Sequence, residues 1–133
     1  MTAKEYLSQA FYIDSGINSK LEQLTGLHEL AVKATSRLSR TPVSGSKDVH
    51  QLEEVICKIL DLESEIGKEM KRLLELKQEI MRVIESVSNA DYRILLEFRY
   101  LCFYSWEKIA VEMGYDRRYI LKMHNRALNS VKI

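Results

Sequence analysis

Residues 116–133 hold five Lys or Arg (Arg117, Arg118, Lys122, Arg126 and Lys132) against one acid, Asp116. Ile120, Met123, Ala127, Leu128 and Val131 recur there at helical spacing, so they mark the inner face of one helix. Arg117, Arg118, Leu121, Lys122, Asn125 and Arg126 then point outward, with Tyr119 beside them. A helix face of one charge sign suits an anion. Arg can grip guanine O6 and N7 with two donors, and Lys can also reach guanine. Arg126 and Lys132 lie farther along and suit backbone phosphates. The plainer reading is a solvated charged face.

The remaining reactive side chains form no constellation. His28, His50 and His124 have no partner at metal-ligand spacing and read as ordinary surface or seam residues. Cys57 and Cys102 are too few for a disulfide framework and read as small buried or half-buried residues in a reducing cytosol. There is no phosphate-cradling glycine loop, no CxxC pair and no nucleophile elbow. Carboxylates stand four residues from cations, as Glu54 does from Lys58, which supports helices. The expectation is a non-enzyme with no metal and no cofactor.

The elements that position the basic helix are short. Ser88 or Asn89 can cap a helix carrying Tyr92, Leu95, Leu96, Arg99 and Tyr100, and Cys102-Phe103-Tyr104 ends it. Ser105 caps the next, with Trp106, Ile109, Ala110 and Met113 on its inner face. Gly114 follows where φ > 0 is wanted, and Asp116 caps the last helix. A small residue at Ala110, a glycine at Gly114 and a β-branched residue at Ile120 have the spacing of a helix-turn-helix. Trp106 reads as core rather than as a stacking platform.

Residues 1–88 are different in kind. Val49, Leu52, Ile56, Ile59, Ile66, Met70, Leu73, Ile80, Ile84 and Val87 alternate by three and four, with Glu63 and Lys77 filling the gaps. With Val49 at heptad position a, this is an a/d stripe. Glu63 and Lys77 either fix register or sit at a solvated edge. Val55, Leu62, Leu76 and Val83 flank the stripe on one side, and Leu60, Leu74 and Met81 on the other. Residues 3–38 repeat the pattern through Leu7, Ala10, Ile17, Leu21, Leu24, Ala31 and Leu38, after a capping box at Thr2 and Glu5. Gly16 and Gly26 weaken it, and a break near Asp14–Gly16 is compatible with the pattern. A Ser- and Gly-rich stretch with the single Pro, about 39–48, reads as a loop.

The expected architecture is therefore all-α. A long antiparallel, coiled-coil-like helical hairpin over 1–88 is followed by a helix-turn-helix unit over 89–133. One Pro and five Gly exclude an all-β sandwich and a glycine-rich nucleotide fold. The wide apolar face of 49–87 exceeds what one partner helix covers, which implies a homodimer or higher oligomer through 1–88. Residues 1–88 carry 12 basic and 14 acidic side chains, and residues 89–133 carry 8 and 5, so the positive balance is C-terminal. No apolar run reaches the roughly 18 residues that span a membrane, and the N-terminus has no apolar leader core. A cytoplasmic protein is expected.

The segment from Ser105 through Ile120, continuing to Ala127-Leu128, resembles region 4 of sigma-70-type factors. The chain as a whole resembles small phage and prophage proteins of Gram-positive bacteria related to late-transcription regulators of the RinA and ArpU type. Met1 to Leu7, the Ser-rich loop and the stretch from Arg99-Tyr100-Leu101 to Trp106 carry that likeness. The resemblance implies a sequence-specific double-stranded DNA-binding transcription regulator in a bacterial host, with Arg117, Arg118 and Lys122 facing bases in the major groove. Arg118 stands where sigma factors often have an acid, so their promoter preference does not transfer. RNA polymerase is a further implied contact. The other reading is an adaptor that binds RNA polymerase or another phage protein without touching DNA.

Overall fold

The computed structural model describes residues 1–40 and 45–132, and every element among them is helical. The order is α1 (Ala3–Arg40), α2 (Gly45–Glu85), α3 (Ala90–Leu96) running directly into a π-helical turn (Glu97–Leu101), α4 (Trp106–Met113) and α5 (Arg117–Ser130). The N-terminal cap forms as expected: the Glu5 N–H donates to Thr2 Oγ1 at 3.1 Å. No break occurs near Asp14–Gly16, because α1 runs unbroken through Gly16 and Gly26. Each glycine costs a helix about 1 kcal/mol, and apolar contacts on both sides of the site outweigh that.

The expected loop over about 39–48 is shorter at both ends. Ser39 and Arg40 still belong to α1, and Gly45 already belongs to α2; residues 41–44 lie outside the described residues. Charge favours these helix ends. Arg37 and Arg40 occupy the last turn of α1, and Asp48 the first turn of α2, where each complements the helix dipole.

The chain divides into two compact units, one of Met1–Asp14 with Arg72–Ile133 and one of Ser15–Lys71. In the second unit Ile17, Ile59 and Ile66 are buried, with Leu24, Ala31, Leu52, Val55 and Leu62 half-buried around them. Ion pairs link Lys20 to Glu65 and Arg37 to Asp48, each at 4.0 Å, and His28 Nε2 lies 3.9 Å from Glu63. Each pair is long and has at least one partner open to solvent, so each contributes about 0–1 kcal/mol and apolar burial holds the unit.

The buried row on α2 differs from the expected a/d stripe. Leu52, Ile59 and Ile66 are covered together with Val55, Leu62 and Leu76, whereas Val49, Ile56 and Met70 are exposed. Leu21 on α1 is exposed as well. Charge does not separate the rows, since Glu63 and Lys77 lie in one and Asp48 and Glu69 in the other. Contact with α1 does: Val55 lines one cleft with Leu30 and Ala34. Glu63 is exposed beside His28, and Lys77 is half-buried with its ammonium 4.6 Å from the Phe103 ring centroid.

The first unit holds the larger core. Leu7 and Ala10 of α1, Ile80 and Ile84 of α2, Leu96, Tyr100 and Ala127 form one buried cluster. The C-terminal helices therefore share their core with the first turns of α1. A second cluster joins Leu95, Ile109, Ala110, Ile120 and Met123. Cys57 and Cys102 lie outside both clusters and are exposed, contrary to the buried or half-buried reading. Cys57 sits on the polar side of α2, and Cys102 caps the end of the π turn, where no core reaches it.

Candidate functional site

Local hydrogen bonds build the site. The Asn89 side chain accepts from Tyr92 N–H at 3.1 Å and starts α3. Arg93 Nη1 donates to the Val87 and Ser88 carbonyls at 2.6 and 3.1 Å, which fixes the corner entering α3. The π turn then adds a residue to the helical circuit and brings Tyr100 inward, where it is buried. Phe103 follows with φ of 59°, a left-handed conformation that is costly for a bulky side chain. Its ring packs edge-on against Phe11 at 5.7 Å.

Ser105 caps α4 by accepting from Lys108 N–H at 3.2 Å. Gly114 ends it at φ 74°, and the N–H groups of Gly114 and Tyr115 both donate to the Ala110 carbonyl. Only glycine adopts this conformation without strain. Asp116 accepts from Tyr119 N–H at 2.8 Å and starts α5. Ile109 and Ala110 of α4 pack on Ile120 and Met123 of α5, so the turn and both helices are held rigidly.

All seven residues expected to read DNA lie on α5 and are exposed: Arg117, Arg118, Tyr119, Leu121, Lys122, Asn125 and Arg126. They are not equivalent. Arg118, Lys122 and Asn125 follow i, i+4, i+7 spacing opposite the buried row of Ile120, Met123 and Ala127. Arg117 lies to one side, its Nε 3.2 Å from Glu107 of α4, so its charge is partly neutralised. Tyr119 stacks at a tilt on Tyr115, ring centroids 4.8 Å apart. Arg126 is about 12 Å along the axis from Arg118. No acid lies within α5, and among the described residues Arg118, Lys122 and Arg126 make no ion pair.

Behind this face lies a buried pair that the sequence reading did not anticipate. His124 is buried rather than on the surface, and its Nε2 lies 2.6 Å from Tyr100 Oη. Burial, reinforced by the charges of Lys4 and Arg99, pushes the imidazole down to about 4. It is neutral at pH 7, so a single ring nitrogen carries the proton, and the tautomer sets which partner donates in the bond to Tyr100. Burial pushes the Tyr100 hydroxyl up to about 12, so it stays protonated at pH 7. The Trp106 ring meets the imidazole edge-on at 4.6 Å. Trp106 is half-buried, packed against the second cluster and covered by the Arg99 guanidinium at 4.2 Å. The only hint in the sequence was an odd one: His124 falls between Met123 and Ala127 on the inner face of a basic helix.

A cleft of about 300 Å³ opens beside the pair, with Lys4, Phe11, Arg99, Phe103 and Trp106 among its walls. Its two cations and aromatic rings belong to the support of α5. Among the described residues no group of three or more His, Cys, Asp or Glu is placed to hold a metal ion.

These features define an all-α protein in which a basic helix is mounted on a shared core. No helix among the described residues is long and apolar enough to cross a membrane. Residues 33–132 match the family described as "Protein of unknown function (DUF1492)", and the chain belongs to that family. No curated protein and no solved structure matches the chain.

Proposed function

We propose that this chain is a sequence-specific double-stranded DNA-binding protein, not an enzyme, and that it regulates transcription of phage or prophage genes in the cytoplasm of a bacterial host. The observation that carries the reading is the Arg118–Lys122–Asn125 row, exposed and free of acids on a helix whose opposite side is locked into a core. In this reading α4, the Gly114 turn and α5 are a helix-turn-helix, and the first turns of α5 enter the major groove. The resemblance to sigma region 4 and to regulators of the RinA and ArpU type points the same way.

The long helices are then an antiparallel hairpin that mediates self-association or contacts RNA polymerase. Ion-pair partners rise along α1 as they fall along α2, from Lys20 with Glu65 to Arg37 with Asp48, which supports that arrangement.

The adaptor reading draws on one observation. Val111 is 80% exposed, and Tyr115, Tyr119 and Leu121 are exposed near it in sequence, an apolar set that a protein partner could cover. Selection of bound sequences from random duplex DNA at two salt concentrations decides between them. DNA binding yields an enriched sequence and an affinity that falls steeply with salt. No enrichment, with a salt-insensitive protein partner, favours the adaptor.

A further inference from the structure

Supporting α5 does not account for the make-up of the cleft beside Tyr100 and His124. Its walls all belong to the first unit. Lys4, Phe11 and Tyr12 come from the first three turns of α1, and Arg99, Phe103 and Trp106 from the π turn to the start of α4.

The two cations are uncompensated. Neither Lys4 nor Arg99 makes an ion pair among the described residues, and no Asp or Glu lines the cleft. Both charges reach the interior, since each adds to burial in pushing the His124 imidazole down. Like charges facing one cleft repel, and an anion between them turns that repulsion into two attractions. Arg99 is already set for one. A single N–H donates to the Tyr104 carbonyl at 2.9 Å, and the guanidinium lies 4.2 Å from the Trp106 ring centroid. The group is thereby fixed as a planar fork with donors left over for a carboxylate or phosphate.

The aromatic walls add a second requirement. Phe11 and Tyr12 are 49% and 71% exposed, and their rings meet edge-on with centroids 5.9 Å apart. Phe103 completes the set against Phe11 and is held at φ of 59°. Strained backbone gathers at ligand clamps, and π turns recur at functional sites. Here the π turn carries Arg99 and the left-handed residue is Phe103, and both face the same cleft. Open aromatic surface beside two cations suits a flat ring that carries an acid group. The volume of about 300 Å³ is at the lower end for ligand pockets, so it suits one ring or two fused rings and is too small for a dinucleotide.

We propose that this cleft binds a small aromatic anion, a single or fused ring bearing a carboxylate or phosphate, with the acid group between Lys4 and Arg99 and the ring against Phe11, Tyr12 and Phe103. The site shares no residue with the outward row of α5 and does not rest on the DNA reading.

The test uses the full chain, whose single tryptophan, Trp106, lines the cleft and reports on it by fluorescence. Phenyl phosphate and phenylacetate are the probes. Phenylethanol supplies a ring without charge, and inorganic phosphate and acetate supply charge without a ring. At least one aromatic anion is expected to saturate the signal with Kd below about 5 mM and to bind at least about tenfold tighter than phenylethanol and its own ringless counterpart. Lys4→Gln, at an exposed position, should weaken that binding at least about fivefold with helical content retained. Tyr12→Ala should weaken it at least about threefold. Lys68→Gln removes an exposed charge from the other unit and should leave affinity within about twofold. Failure of both aromatic anions to saturate below about 5 mM overturns the proposal, as does a neutral or ringless compound that binds within about tenfold. Unchanged affinity in folded Lys4→Gln, or an equal loss in Lys68→Gln, overturns the cleft as the site. Duplex selection needs none of these compounds, so failure of the DNA reading is seen separately.

Discussion

The Tyr100 hydroxyl lies 2.6 Å from His124 Nε2, joining the π turn to the inner side of α5. One residue comes from the turn that precedes α4 and the other from the helix that follows it. Their bond ties α5 to the core, and burial of the imidazole there favours its neutral form. The outward row of Arg118, Lys122 and Asn125 is aimed by this inward contact.

Stability should therefore fall on mild acidification. The His124 pKa is about 4 in the folded chain and about 6.5 when exposed, so between those values the unfolded chain binds the extra proton. The stabilisation is present above pH 6.5 and is lost as pH drops towards 4. Between pH 7 and 5 the loss should be about 2 kcal/mol, read as a shift in urea midpoint. His124→Gln, which keeps an acceptor but cannot titrate, should remove most of that slope. An unchanged slope would show that the imidazole is not buried as described.

Gly114→Val should destabilise the first unit by about 1–2 kcal/mol, because φ of 74° forces a β-branched residue into the left-handed region. No neighbour lies within 4 Å of a Cβ there, so the cost is backbone strain and not collision. Gly114→Asn, better tolerated in that region, should cost less than the Val variant in the same melts.

Phe103 gives the converse case. It adopts φ of 59° despite its bulk. Phe103→Ala and Phe103→Gly both lose the ring contacts with Phe11 and Lys77, but only the Gly variant relieves the backbone. The Gly variant should be at least as stable as the Ala variant, reversing the usual order by about 0.5–1 kcal/mol. A thermal melt that ranks Ala clearly above Gly would remove the strain argument.

On duplex DNA, Arg118→Ala should lose about 1–3 kcal/mol on the preferred site and relax preference at one position. Arg126→Ala should weaken all duplexes about equally and lower the salt slope by roughly one unit. Fluorescence titrations at several salt concentrations measure both. Two folded variants that bind preferred and random duplexes like the parent would turn α5 away from DNA.

Glu107→Gln should raise duplex affinity about two- to fivefold, since it releases Arg117 from its 3.2 Å contact and removes a negative charge near the basic face. Its effect on stability should stay within about 1 kcal/mol, as for other exposed pairs. Reduced affinity in the same titrations would mean that the pair positions Arg117 for binding.

Spacing and residue type were enough for the helical class, the caps at Thr2, Ser105 and Asp116, the choice of Ser88 or Asn89 that Asn89 fills, the left-handed Gly114, and the outward placement of Arg118, Lys122 and Asn125. All of these depend on hydrogen bonds or side-chain directions within a few residues, so spacing alone specifies them. Tertiary structure decided the rest. Helix α2 has apolar residues on more than one side, and which row it buries depends on the side that meets α1. Spacing is blind to that choice, which left Val49, Ile56 and Met70 exposed and covered Val55 and Leu62 instead. His124 is polar by composition and buried in fact, because a tyrosine 24 positions away supplies its hydrogen bond. The C-terminal helices complete their core with Leu7 and Ala10, residues from the opposite end of the chain. A partner that distant leaves no periodic trace near the residue it stabilises, so only the folded chain reveals it.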